Sequence, residues 1–144
     1  MSSYTSSFNP VSVEGCPQGW SLLLGSCYRF SSNTLNWFAA NASCEGMGSR
    51  LAVVKSKAVQ EALAPRVTDD YIGLYRDPTN KNRWLWVDGT VLTYAQWGNA
   101  EPNNLVEKCG HMRNGDRRWN DARCNINLPY ICERSGEASI IMFC

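Results

Sequence analysis

Between Trp20 and Phe30 two short apolar stretches, Ser21-Leu22-Leu23-Leu24 and Cys27-Tyr28-Arg29-Phe30, are divided at Gly25-Ser26 and predict two strands joined by a turn, with Cys16 and Cys27 facing each other. From Asn36 to Met47 the period changes. Trp37, Ala40, Cys44 and Met47 recur at helical spacing, with Ser32 or Asn33 to cap the start and Gly48 to end it. A short apolar strand, Leu51-Ala52-Val53-Val54, then leads to a second helix from Ser56 to Ala64, closed by Pro65. Beyond Asp69-Asp70 the pattern becomes strand and turn: Tyr71-Ile72-Gly73-Leu74, Arg83-Trp84-Leu85-Trp86-Val87, a turn at Asp88-Gly89, and Val91-Leu92-Thr93-Tyr94. Trp84, Trp86 and Trp97 are expected in the core, because aromatic rings carry large buried areas.

Cys109-Gly110-His111-Met112 and Arg117-Arg118-Trp119 flank Arg113-Asn114-Gly115-Asp116, a hairpin signal centred on Asn-Gly. That hairpin carries Glu107, just before its first strand, to the end where Asn120-Asp121 leaves its second, and a Cys109 to Cys124 bridge would fix the arrangement. Leu128-Pro129-Tyr130-Ile131-Cys132-Glu133 closes the core, with Cys132 a long-range partner for Cys44. Spacing alone leaves other cysteine pairings open.

The 144 residues suffice for one domain with a hydrophobic core, and six Trp argue against disorder. A formal charge of +1, with basic and acidic residues mixed, creates no field that would draw the chain to nucleic acid or an anionic membrane. Seven cysteines without a Cys-x-x-Cys pair, and a single histidine, His111, argue against zinc and for disulfides; the domain is expected to be secreted or extracellular. Residues 1–15 read as a flexible, Ser-rich leader, residues 16–134 as the folded domain and residues 135–144 as a tail. The leader has no signal-peptide pattern, so an export signal is expected to lie outside this sequence. No apolar run is long enough for membrane insertion. Cys144 is the odd cysteine: the tail either packs on the domain or pairs two chains into a homo-oligomer. Asn41-Ala42-Ser43 is a glycosylation sequon within the first helix.

Oxygen donors concentrate in two places, Ala100-Glu101-Pro102-Asn103-Asn104-Leu105-Val106-Glu107 and Trp119-Asn120-Asp121. Glu101, Glu107 and Asp121 supply carboxylates, and Asn103 and Asn120 supply amide carbonyls, a donor set suited to a hard cation such as Ca2+. No nucleophile and base pair accompanies them, so an enzyme is not expected.

With these residues in place the chain resembles a C-type lectin-like domain from Cys16 to about Arg134. The likeness rests on Cys16-Pro17 with Trp20, Cys27-Tyr28, Trp37-x-x-Ala40-x-x-x-Cys44, Tyr71-Ile72-Gly73-Leu74, Trp97 before Glu101-Pro102-Asn103, Trp119-Asn120-Asp121, Cys124 and Tyr130-Ile131-Cys132. The resemblance implies an α+β fold with two helices, small antiparallel sheets and a long loop region, stapled by Cys16–Cys27, Cys44–Cys132 and Cys109–Cys124. It implies that Glu101, Asn103, Glu107, Asn120 and Asp121 hold the principal calcium, through a cis bond at Pro102, and that Leu105 lies against a bound sugar. In the family Glu-Pro-Asn accompanies mannose-type sugars: mannose, glucose, N-acetylglucosamine and fucose. The implied function is a calcium-dependent lectin for such terminal sugars, with microbial surfaces as the expected target; the alternative is a calcium-independent protein-recognition domain of the same fold. An auxiliary calcium is left open: Arg76 stands where the family places an acidic ligand and Asn104 where some members have Asp, while Asp77 could substitute by a shift.

Overall fold

The computed structural model describes residues 15–136. The leader up to residue 14, most of the tail and Cys144 lie outside the described residues. The elements in chain order are β1 (Ser21–Leu23), β2 (Ser26–Phe30), α1 (Trp37–Gly46), β3 (Arg50–Leu51), α2 (Lys57–Leu63), β4 (Asp70–Arg76), β5 (Trp84–Trp86), β6 (Cys109–Met112), β7 (Trp119–Ala122) and β8 (Ile131–Ser135). Two antiparallel four-stranded sheets form, ordered β1-β2-β8-β3 and β5-β4-β6-β7. With two helices and disulfides Cys16–Cys27, Cys44–Cys132 and Cys109–Cys124, this is the α+β architecture expected. Among the described residues no helix is long and apolar enough to cross a membrane.

The helices start where a side chain can satisfy a free N–H. Asn36, not Ser32 or Asn33, caps α1 by accepting from Ala39 N at 2.8 Å, because Leu35 is still extended and bridged to Leu128. Ser56 caps α2 in the same way, accepting from Val59 N. Pro65 does not stop the chain sharply; it sits in a single 3-10 turn, Ala64–Arg66, that follows α2. The sequon residue Asn41 lies half-buried in α1, and Ser43 Oγ meets the Tyr130 hydroxyl at 3.1 Å.

Three strand expectations need correction. Of Leu51 to Val54 only Leu51 pairs in a sheet; Ala52, Val53 and Val54 are buried without a ladder, as the chain crosses to the second sheet. Val91 to Tyr94 makes a single bridge, Leu85 to Val91, and then leaves β5, bringing Trp97 to its bridge with Trp119. The hairpin turn spans residues 113–118 instead of 113–116, closed by Arg113 N donating to Arg118 O, so the second strand starts at Trp119 and Asn120 and Asp121 lie within β7 rather than beyond it.

Trp84 and Trp86 are buried; Trp97, partly buried, packs edge-to-face on Trp84 and Trp119, and Trp86 packs the same way on Trp119. The two sheets meet most closely at Gly73 of β4. Its N–H donates to Ala52 O at 2.7 Å, and a Cβ there would fall 2.8 Å from both Leu51 O and Val87 Cγ2. Gly73→Ala is therefore expected to destabilise the domain by about 1–3 kcal/mol, read as a lower midpoint in urea with an unchanged slope.

Two surface turns are tied by carboxylates. Asp77 is held down to about 2 by bonds from Thr79 N, Thr79 Oγ1 and Arg83; at Asp88 burial pushes upward but is outweighed by Lys55 and Thr90, which hold it at about 2. A folded value below the unfolded value of about 3.9 means that this stability is present above about pH 4 and is lost as pH falls towards 2. Acid titration followed by circular dichroism, with chelator present, should show that loss, and Asp88→Asn should flatten it.

Candidate functional site

The site grows from β7 and the loop that leaves its side. Trp119 N donates to Gln96 O and Gly98 N to Trp119 O, so residues 96–98 run along β7 and deliver the following turn beside Asn120 and Asp121. That turn, closed by Glu101 N to Gly98 O at 3.0 Å with Ala100 at φ 65°, leads into a cis Glu101-Pro102 bond. Beyond it the loop lies against β7, where Asn103 N and Asn104 N reach Asp121.

Asp121 is fully buried and holds this loop by its backbone. Its Oδ1 accepts from Asn103 N at 3.3 Å and its Oδ2 from Asn104 N at 3.0 Å. Asn104 turns the loop back, its Oδ1 accepting from Val106 N and its carbonyl from Glu107 N. Asn120 precedes Asp121 on β7, paired with His111 across the ladder. Asn120 Nδ2 lies 3.1 Å from His111 Nε2, and His111 Nδ1 lies 2.8 Å from Asp69 Oδ1. Where Asn120 Nδ2 donates to His111 Nε2, Asn120 Oδ1 stays available to ligate.

The carboxylates press on one another. Burial raises Glu101 above the ordinary carboxylate value, and hydrogen bonding and charge from Asp121 add to this; Arg113 opposes, and Glu107 raises it further. Arg113 Nη1 lies 3.4 Å from Glu101 Oε2 and its other nitrogens bond Asp116, so this arginine is engaged inside the hairpin rather than free for an acidic sugar. Glu101 Oε1 is buried without a hydrogen-bond partner. A buried, unpartnered carboxylate oxygen pushed towards protonation by two further carboxylates is the environment a divalent cation relieves, and here the donor set fits calcium. Among the described residues no three His, Cys, Asp or Glu side chains already form a metal-binding group, so the Asn103 and Asn120 amides would have to complete it.

Glu101, Asn103 and Glu107 thus lie on one loop, and Asn120 and Asp121 lie on β7, to which the loop is bonded through Asn103 N and Asn104 N. Leu105 stands about half exposed on the same loop, at the rim of a groove of about 660 Å³ shared with Pro102, Asn103, Trp84 and Trp97. Asp77, considered for an auxiliary metal, is engaged by Thr79 and Arg83 instead. The sequence reading missed what Arg76 does. Its guanidinium is buried and contacts Lys81 O, Asn104 O, Glu107 O and Asp121 Oδ2. The signal was available: Ile72, Leu74 and Arg76 share one face of a strand, and an arginine at an inward position must have partners.

Residues 33–134 match the Lectin C-type domain family. The chain is 39% identical over 131 residues to human C-type lectin domain family 4 member E, a match that covers 84% of this chain and 59% of the relative. It covers 32% of human C-type lectin domain family 17, member A, so it spans well under two thirds of these curated relatives. Among solved structures, the mouse scavenger receptor C-type lectin carbohydrate-recognition domain superposes with TM-score 0.80 at 29% identity, covering 85% of this chain and 98% of that one. The cow carbohydrate-recognition domain of CD23, determined in the presence of a GlcNAc2Man3 oligosaccharide, superposes at 0.78 with 32% identity, covering 84% and 96%. Three disulfides mark an extracellular domain. By fold, disulfide pattern and sequence the chain belongs to the C-type lectin domain family, as a carbohydrate-recognition domain of a binding family and not an enzyme.

Proposed function

We propose that this domain is a secreted, calcium-dependent lectin for terminal mannose-type sugars: mannose, glucose, N-acetylglucosamine and fucose. The observation that supports the reading is Glu101, whose Oε1 is buried without a hydrogen-bond partner and whose carboxyl is raised by burial and by Asp121 and Glu107. Glu101, Asn103, Glu107, Asn120 and Asp121 would hold the ion. When bound, calcium supplies open coordination positions that can take two neighbouring sugar hydroxyls. The protein's part is hydrogen bonding: Glu101 and Glu107 accept from the hydroxyls, while the Asn103 and Asn120 amides donate to them, and that order selects the diol. Leu105, exposed on the same loop, offers an apolar contact to the ring. Glycans on microbial surfaces are the proposed targets. One shallow site binds weakly, so avidity would come from several copies, with Cys144 as one means of joining them.

A second reading, calcium-independent protein recognition, draws on the internal ion pairs Arg113–Glu101 and Arg76–Asp121, which partly neutralise the site without metal. Glycan-array binding with calcium and then with chelator separates the two. Mannose-type binding that disappears on chelation is expected; equal binding in both conditions would reject the calcium reading. In Glu101→Gln/Asn103→Asp the acceptor and donor order is changed, and preference should move away from mannose-type sugars; an unaltered preference would reject the selector role.

Acid should release the metal. Ligation needs ionised carboxylates, and Glu101 holds its proton more tightly than an ordinary glutamate, so loss of binding begins at a higher pH than an unperturbed site would show. Below that point calcium affinity should fall about tenfold per pH unit for the first proton, measured by calorimetry across a pH series.

A further inference from the structure

We infer that Arg76 is a built-in cation that sets the site loop before any metal arrives, a positioning residue for the binding reading above, on which this inference rests. The guanidinium is enclosed: the side chain is 6% exposed and stacks over the Trp84 ring at 4.5 Å. Nη1 donates to Lys81 O at 2.6 Å, while Nη2 is shared among Asn104 O at 3.1 Å, Glu107 O at 3.1 Å and Asp121 Oδ2 at 3.4 Å. Arg76 N donates to Lys108 O, so the strand is fixed to the same loop by its backbone.

Each contact ties together parts that must sit in register for binding. Asn104 and Glu107 are the two ends of the turn after Pro102, and Asp121 holds the loop from beneath. One flat cation with several donors joins backbone carbonyls from residues 81, 104 and 107 to the carboxylate on β7, a job that a single-point ammonium cannot do in the same geometry. The arrangement also occupies the space between the residue 77–83 turn and the site loop with a positive charge. That charge repels a second metal ion from the same place. The chain should therefore bind one calcium, to a loop already ordered without it.

The cost is a positive charge beside Asp121, which lowers the negative potential available to calcium. Organisation and repulsion thus pull calcium affinity in opposite directions, and a substitution tells them apart. Arg76→Met keeps an apolar stem over Trp84 and removes the fork. Arg76→Lys keeps the charge and loses the planar set of donors.

The test uses the full chain, parent and both variants, in two measurements. In chelator, amide hydrogen exchange of residues 103–107 should quicken by about tenfold or more in Arg76→Met, while β6–β7 amides stay protected. Arg76→Lys should fall between. In titrations with calcium alone, followed by calorimetry, the parent should show one site and Arg76→Met about a tenfold higher Kd, with partial recovery in Arg76→Lys. A role in packing alone would lower the melting temperature but leave loop exchange and Kd as in the parent, and that result overturns the inference. So does a tighter calcium Kd in Arg76→Met, which would show that charge repulsion outweighs organisation, and so does a second calcium in the parent. Should Arg76→Met fail to fold, Arg76→Lys decides, since parent-like exchange in its loop excludes the multi-point role. If the parent binds no calcium, the binding reading fails, and loop exchange in chelator still judges Arg76.

Discussion

A carboxylate with no access to water is the constraint around which this domain is arranged. Asp121 is fully buried in β7, and an isolated charge there would cost several kcal/mol or take up a proton. It remains an acceptor because two loop amides and one buried guanidinium point at it. The loop is folded in part because the aspartate needs donors. The site residues inherit their placement from that demand: Asn103 is anchored through its own N–H, and Glu107 through the Asn104 turn and Arg76.

The rest of the molecule holds the two partners of that arrangement in place. β4 contributes Gly73, where the sheets touch, and three residues later Arg76, where the loop is caught. Stability and site geometry therefore share a strand. Glu101 shows the opposite situation to Asp121: its Oε1 is buried with no partner, and the carboxyl group is pushed towards its neutral form. One acid is satisfied by the protein and the other is left wanting a cation, which is how a fold can be sound without metal and still favour one.

Much of the fold could be read from local chemistry. Trp37, Ala40 and Cys44 did form the buried face of a helix, while the first turn fell at Leu24-Gly25 instead of Gly25-Ser26, because Ser26 is already paired with Leu23. Where the reading erred, tertiary pairing overrode a local pattern. Val91 to Tyr94 alternates like a strand, but β5 gives it only one bridge before Trp97 is drawn to Trp119. Asn33 is as good a cap as Asn36 in sequence, and only the Leu35 to Leu128 bridge decides between them. The oxygen donors of the site were visible as residue types. The buried arginine that arranges them was passed over, because its partners are mostly backbone carbonyls, which leave no mark in a sequence.

The position of the Cys44–Cys132 bridge governs how the domain would bear a pull. Ser26 pairs with Ser135, and a Cβ on Gly136 would lie 3.2 Å from Gly25 O, so both ends of the described chain lie by one corner of the β1-β2-β8-β3 sheet. Tension applied there would peel β8 from β2 only through Ser135, Arg134 and Glu133 before reaching Cys132. From Cys132 the load crosses the disulfide to Cys44 and runs back along α1 and β2 towards the Cys16–Cys27 bridge. Every residue between 44 and 132, including the loop at 101–107 and the strand bearing Asp121, lies off that covalent path. Tension between the two ends would therefore leave the backbone of the candidate site unstretched, whatever became of the β2–β8 pairing.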